Sequence, residues 1–260
     1  KVGTFECMAV SDGTFAYPDH YFFVNAPKEL LEQVLREHNI QPGEIIAPWT
    51  CLLIKTGQHR ILVDTGGGAG LAPGVGKLLP NLQAEGIESV DIDTVILTHG
   101  HPHHIGGNTD AEGKPAFTNA RYVMWKDEWD FWTAEPDLTQ LEVGEDFKQP
   151  MLTLARKNLP SIQGQLDLID RETEILPGIQ AIAAPGHTPG HMVLAISSGA
   201  EQLLYISDAM LYPIYVEQPE WYAVVDFSPE QVVATRHQLL NRVVAEKSLV
   251  LAVHFPFPGL

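Results

Sequence analysis

Short runs of β-branched and other apolar residues alternate with stretches of helical periodicity along the whole chain. The apolar runs predict strands over residues 5–10, 50–55, 60–64, 94–98, 121–124, 166–169, 179–184, 192–197, 202–207 and 249–253. Helical spacing predicts helices over 28–38, 76–85, 125–131, 147–158 and 229–245. The last of these is best defined: Ser228 suits an N-cap, Pro229 suits the first turn, and Val232, Val233, Leu239, Leu240, Val243 and Val244 form one apolar stripe. Hairpin-like strands occupy both halves of the chain and helices fall between them. The expected architecture is two packed sheets with helices outside, in a single domain over 1–260. No internal repeat, low-complexity tract or linker interrupts it. Residues 133–144 form the expected long surface loop.

Composition agrees with a globular chain, at 45% hydrophobic and 19% charged residues. Lysine and arginine number 16 against 33 aspartates and glutamates, a net charge of −17. That balance argues against nucleic-acid and anionic-membrane partners, which need a cationic face. No apolar run approaches the ~20 residues of a membrane span. Cys7 and Cys51 make no disulfide framework, and two free thiols in a reducing, cytoplasmic compartment are expected. Lys1 is preceded by no Met or signal segment, and the chain stops shortly after His254, so removal of an upstream piece and omission of some C-terminal sequence are also expectations.

Histidine changes the picture. Seven of 11 lie in three short motifs that follow apolar strands. The first is Thr98-His99-Gly100-His101-Pro102-His103-His104-Ile105-Gly106-Gly107. The second is Pro185-Gly186-His187-Thr188-Pro189-Gly190-His191, and the third is Val253-His254-Phe255-Pro256-Phe257-Pro258-Gly259. Asp208 follows its own apolar strand in the same way. Taken singly, Asp208 reads as a turn or cap residue and His254 as a core histidine. Four strand ends that each deliver an imidazole or carboxylate point instead to one shared metal site, since neutral imidazole is a common transition-metal ligand. The Gly66–Gly70 stretch lacks the Lys-Ser/Thr ending of a nucleotide loop and reads as a turn beside that site.

These motifs, with Val63-Asp64-Thr65-Gly66 and the Ser207-Asp208-Ala209 step, resemble the metallo-β-lactamase-fold hydrolases in order over most of the chain. The ending and the segment from Phe227 to Arg236 look most like the methyl parathion hydrolase and lactonase branch. The resemblance implies an α/β fold of the four-layer αββα type and a two-metal site, with zinc as the expected ion and manganese, iron or cobalt as alternatives. His99, His101 and His187 are implied ligands of one ion, and His104 and His254 of the other. Asp208 is the implied bridge, and Asp64 is implied to orient a ligand. His191 is expected to make hydrogen bonds in its loop and not to ligate. A homodimer is a further expectation.

One position departs from the HxHxDH pattern of the family: His103 stands where that pattern has Asp. In the family this Asp ligates the second metal and serves the chemistry. His103 could coordinate through one nitrogen, could leave the second position weak or empty, or could mark impaired catalysis. The favoured reading is retained binding with a weaker hold on the second cation, because one negative charge is gone.

The implied activity is hydrolysis by metal-activated water, acting on a lactone or hydrophobic ester. Phosphotriester hydrolysis is the enzymatic alternative, and a metal-binding homologue with impaired catalysis is the alternative of another class. An apolar substrate wall is expected from Tyr212, Tyr215, Trp221 and Phe255, together with Tyr222, Phe227 and Phe257. Trp125, Trp129, Phe131 and Trp132 read equally as core or wall. Acyl-homoserine lactonases often place a Tyr three residues after the bridging Asp. Here that position is Leu211, with Tyr212 next.

Overall fold

A computed structural model describes residues 1–260. Eleven strands form two sheets. The first contains β1 (Glu6–Pro18), β2 (Glu44–Lys55), β3 (Arg60–Val63), β4 (Thr94–Leu97), β5 (Arg121–Trp125) and β6 (Leu166–Ile169), paired in that order. The second contains β7 (Thr173–Leu176), β8 (Ile179–Ala183), β9 (Met192–Ser198), β10 (Glu201–Ser207) and β11 (Leu249–Ala252), in the order β11-β10-β9-β8-β7. The helices are α1 (Asp19–Phe22), α2 (Lys28–Glu37), α3 (Leu78–Ala84), α4 (Pro102–Ile105), α5 (Lys126–Thr133), α6 (Glu145–Ser161), α7 (Ile214–Glu217) and α8 (Pro229–Glu246).

Both faces of the central strands are covered, which is why they read as unbroken apolar runs rather than alternating ones. Leu52, Ile54, Ile61, Val63 and Ile96 of the first sheet meet Ile179, Met192, Leu194, Ile196 and Tyr205 of the second to form the sandwich interior. The intervening residues Leu53, Leu62, Val95 and Leu97 face outward onto α3, α5 and α6. Ile182, Val193, Leu204 and Ile206 face outward onto α2 and α8. The layers are therefore helix, sheet, sheet, helix.

Strand direction positions the site. β3, β4 and β5 are parallel neighbours, so the chain leaves each at the same edge. β9 runs antiparallel to both β8 and β10, which gives β8 the direction of β10, and β11 is parallel to β10. The C-terminal ends of β4, β8, β10 and β11 carry the chemistry. Two backbone hydrogen bonds cross between the sheets beside that edge, Met192 N to Thr98 O and Thr50 N to Val253 O, both 3.1 Å.

Some expectations needed correction. β1 and β2 extend well beyond the predicted runs: a bulge between Ser11 and Gly13 breaks the alternation of β1, and Pro48 interrupts the first half of β2. β7, Thr173-Glu174-Ile175-Leu176, has only two apolar residues to mark it, and the one-turn helices α1, α4 and α7 are too short for a periodic signal. The stretch expected as a surface loop has no regular structure after α5, yet Leu138, Leu141 and Val143 turn inward and are buried in the core. In α8, the Ser228 side chain accepts from Gln231 N at 3.4 Å, and Pro229 occupies the first turn, as the cap pattern predicts.

Candidate metal centre

His99 and His101 follow β4, and His103 and His104 lie on the single turn α4. His187 follows β8, Asp208 follows β10 and His254 follows β11. The structure brings all seven into one buried cluster around Asp208 Oδ2. That oxygen lies 3.1 Å from His103 Nε2, 3.2 Å from His104 Nε2, 3.4 Å from His187 Nε2, 3.5 Å from His254 Nε2 and 3.6 Å from His99 Nε2. His101 Nδ1 lies 3.0 Å from both His99 Nε2 and His187 Nε2. His254 Nε2 lies 3.0 Å from His103 Nε2.

The outer nitrogens decide what the inner ones can do. A neutral imidazole donates from one nitrogen and accepts at the other. His187 Nδ1 donates to Asp226 Oδ1 at 2.7 Å, and His104 Nδ1 donates to Asp64 Oδ2 at 2.8 Å. His254 Nδ1 donates to Pro48 O at 2.8 Å, and His99 Nδ1 faces Thr98 Oγ1 at 3.2 Å. Each of these rings therefore turns its other nitrogen to the interior. Imidazole nitrogens set 3.0 Å apart beside a buried carboxylate are spaced as donors around a shared cation would be. Burial acts in the same direction, holding His99, His101 and His103 well below the ordinary imidazole pKa and so neutral. Burial alone would lower His104 and His187 too, but Asp208 with Asp64 or Asp226 outweighs it and lifts them to about 10 and about 9. The buried Asp208 carboxylate thus demands positive charge inside the cluster, and its Oδ1 has no hydrogen-bond partner at all. Two overlapping donor sets fit a cation: His99, His101, His187 and Asp208, and His99, His103, His104 and Asp208. The residues fit divalent metal ions.

His191 is different. Its Nδ1 donates to Ala184 O at 3.0 Å and its Nε2 accepts from Asp208 N at 3.2 Å, so both nitrogens are spent on the backbone. Burial, then the neighbouring His187, pushes its pKa down to about 3. It fixes where Asp208 begins. Asp64 lies behind His104 and accepts from Thr98 N at 2.8 Å and Tyr205 OH at 3.1 Å besides the imidazole. Its φ of +62° turns the chain sharply so that Thr65 N can bond His104 O at 2.8 Å.

The sequence reading missed two buried carboxylates. Asp226 holds His187, as above, and accepts from Ala223 N at 2.8 Å. Glu128, on α5, is wholly buried and ties Gly100, between two cluster histidines, to Thr188 and Gly190 beside His187. A metal-binding imidazole generally needs a carboxylate or carbonyl behind it, and that requirement was the available signal for Asp226. Glu128 had none, since a lone Glu in a first helical turn ordinarily faces water.

The expected aromatic wall is also corrected. Tyr212, Tyr215, Trp221 and Phe255 do not line the cavity over the cluster but pack in the core on the outer side of the second sheet. Their segment turns away because Arg236, 1% exposed, donates to Ala209 O, Pro219 O and Trp221 O and lies 4.1 Å over the Tyr215 ring. Trp125, Trp129, Phe131 and Trp132 are core or packed against it. The cavity, about 240 Å³, is walled instead by Phe15, Tyr17, Tyr21 and Phe22 from β1 and α1, Trp49 from β2, Phe147, Pro150 and Met151 from α6, and Leu211, Val224 and Val225. His101, His103, His187, Asp208 and His254 form its polar end.

Comparison with known proteins places this geometry. The metallo-beta-lactamase superfamily pattern matches residues 49–245. An N-acyl homoserine lactonase from Bacillus thuringiensis subsp. kurstaki is 27% identical over 254 residues, covering 90% of this chain and 92% of that one. The structure of AidC, a dizinc quorum-quenching lactonase in complex with a homoserine product, superposes with a TM-score of 0.93 at 30% identity, over 100% of this chain and 90% of that one. A hydrolase of the β-lactamase superfamily, AbOPH, superposes with a TM-score of 0.87 at 24% identity, over 100% and 90% of the two chains, and bears on the fold alone.

Proposed function

From the chain's membership of the metallo-β-lactamase superfamily, we propose that it is a metal-dependent hydrolase that opens lactone rings, with N-acyl homoserine lactones as the substrate class. The observation that carries this reading is a ring of inward-facing imidazole nitrogens around Asp208 at the polar end of an apolar cavity. Likeness over the whole chain to a dizinc lactonase supports it.

His99 Nε2, His101 Nδ1 and His187 Nε2 would hold one ion. Nε2 of His103, His104 and His254 would hold the other, with Asp208 between them. Divalent ions so held supply Lewis acidity that polarises a carbonyl and makes water a nucleophile near neutral pH. The protein's own part is orientation and desolvation. Asp226 and Asp64 aim His187 and His104, and the buried position of the cluster keeps competing water out. The aromatic and aliphatic walls take up the apolar part of the substrate. Among the wall residues Tyr17 is oriented to donate: its hydroxyl oxygen accepts from Trp49 Nε1 at 3.2 Å, which leaves its own proton for a substrate carbonyl or amide. It occupies the role that Leu211, an apolar residue in the same cavity, cannot fill.

The test is kinetic. Zinc-loaded protein is assayed against lactones of increasing acyl length and, in parallel, against aryl phosphotriesters. Lactone opening that rises with chain length is expected, with Tyr17→Phe raising KM more than it lowers kcat. Absence of ring opening in fully metal-loaded protein refutes the proposal, and faster phosphotriester turnover reassigns the substrate.

A further inference from the structure

His103 changes the chemistry of the second metal position, and we propose that it makes that position selective, taking zinc or cobalt and rejecting manganese and magnesium. The inference rests on the two-metal reading above. With Asp at this place, as in the family pattern, the second position would have two imidazoles, a carboxylate of its own and a share of Asp208. With His103 it has three imidazole nitrogens and only the shared oxygen. The first position, His99, His101 and His187 around the same Asp208, already has that composition. The two positions thus become chemically alike, each with three nitrogens and one oxygen.

That donor set discriminates among cations. Manganese and magnesium favour carboxylate, carbonyl and water oxygens, whereas imidazole suits zinc, cobalt and nickel. Two divalent ions would also share a single negative charge, which removes the electrostatic compensation that hard cations depend on most. Geometry adds a second argument. His187, His104 and His254 are each held from behind by an oxygen acceptor. His103 has contacts through Nε2 only, to Asp208 and His254, and is steadied by packing against Trp49, with ring centroids 5.1 Å apart. A ligand without an acceptor behind it is less basic and less well aimed, a deficit typically about 10–100-fold in affinity. A cation that binds imidazole strongly tolerates that deficit, and manganese does not.

Metal-stripped wild-type protein and His103→Asp are dialysed separately against zinc, cobalt and manganese salts, and bound metal per chain is counted. The cobalt-loaded forms are also followed by their d–d absorption. Wild type is expected to retain two zinc or two cobalt ions but no more than one manganese. His103→Asp is expected to gain one manganese, at the second position, with affinity there rising at least about tenfold. Two manganese ions held by the wild type as tightly as two cobalt ions would overturn the inference, and this comparison needs no variant. Equal manganese binding by wild type and a folded His103→Asp would overturn it as well. Failure of the wild type to bind zinc at all would overturn the two-metal reading along with it. The expected metal counts without lactone opening would leave the selectivity standing and remove only the substrate assignment.

Discussion

Replacing Glu128 with glutamine tests whether a buried carboxylate outside the histidine cluster holds the loops that carry it together. Glu128 Oε1 accepts from Gly100 N at 2.8 Å and Trp132 Nε1 at 2.6 Å. Its Oε2 accepts from Thr188 Oγ1 at 2.7 Å and Gly190 N at 2.9 Å. Burial raises its pKa, while these four bonds oppose the rise. Glutamine keeps the shape but replaces one oxygen with an NH₂ group. Directed at the Oε2 side, that group can bond Thr188, whose hydroxyl turns to accept, but it meets the Gly190 N–H donor to donor. One buried backbone donor is then unpaired, at a cost of about 1–3 kcal/mol. The two bonds to the remaining oxygen lose their charge assistance, roughly 1 kcal/mol more. The expected loss is therefore about 2–4 kcal/mol, measured by urea unfolding of metal-free protein. Zinc affinity, measured by competition with a chelator, should fall about tenfold, because Gly100 and Gly190 flank the ligands that the carboxylate positions. A stability change under ~0.5 kcal/mol together with unaltered zinc affinity would refute the reasoning.

Further expectations follow from single contacts. Asp226→Asn should weaken zinc at the first position by about 10–100-fold and spare the second, since Asp226 bonds only His187 among the cluster rings; a two-step chelator titration separates the two. Stripping divalent ions should abolish hydrolysis and lower the melting temperature by on the order of 5–10 °C for each ion whose Kd free zinc had exceeded about a hundredfold. Arg236→Met should cost about 3 kcal/mol or more in urea unfolding, because it orphans three carbonyls that the guanidinium now serves. Cys51, whose thiol is pushed well above its ordinary pKa by burial and then by Asp12 and Asp64, should react with thiol reagents only in denaturant. Half-buried Cys7, raised by burial, should react slowly in the native protein.

Much of the fold was legible because the elements that matter are long or strongly apolar. Strands β3, β4, β5, β9 and β10 match their predicted runs within a residue or two, and α8 carries its own start signal in Ser228 and Pro229. What escaped was short or masked: β7, the one-turn helices, and the bulged length of β1. The pocket wall was misplaced for a physical reason. Tyr212 and Trp221 stand close to Asp208 in sequence, but the buried Arg236 draws that segment into the core, and the wall comes from β1 and α6 instead.

The sequence by itself determined the inward set, because each candidate ligand lies within a few residues of the end of an apolar strand and strand ends are a local property. It also placed a histidine at 103, where the resemblance led to Asp. Tertiary structure alone decided which nitrogen of each ring faces inward. That depends on acceptors far away in the chain: Asp226 is 39 residues from His187, Asp64 is 40 from His104, and Pro48 is 206 from His254. It likewise decided that Glu128 would join two histidine-bearing loops 28 and 62 residues distant, and that Tyr17 and Trp49 would meet in the cavity. No spacing rule encodes such contacts, because they exist only once two sheets have packed and the burial of a polar group has forced it to find a partner.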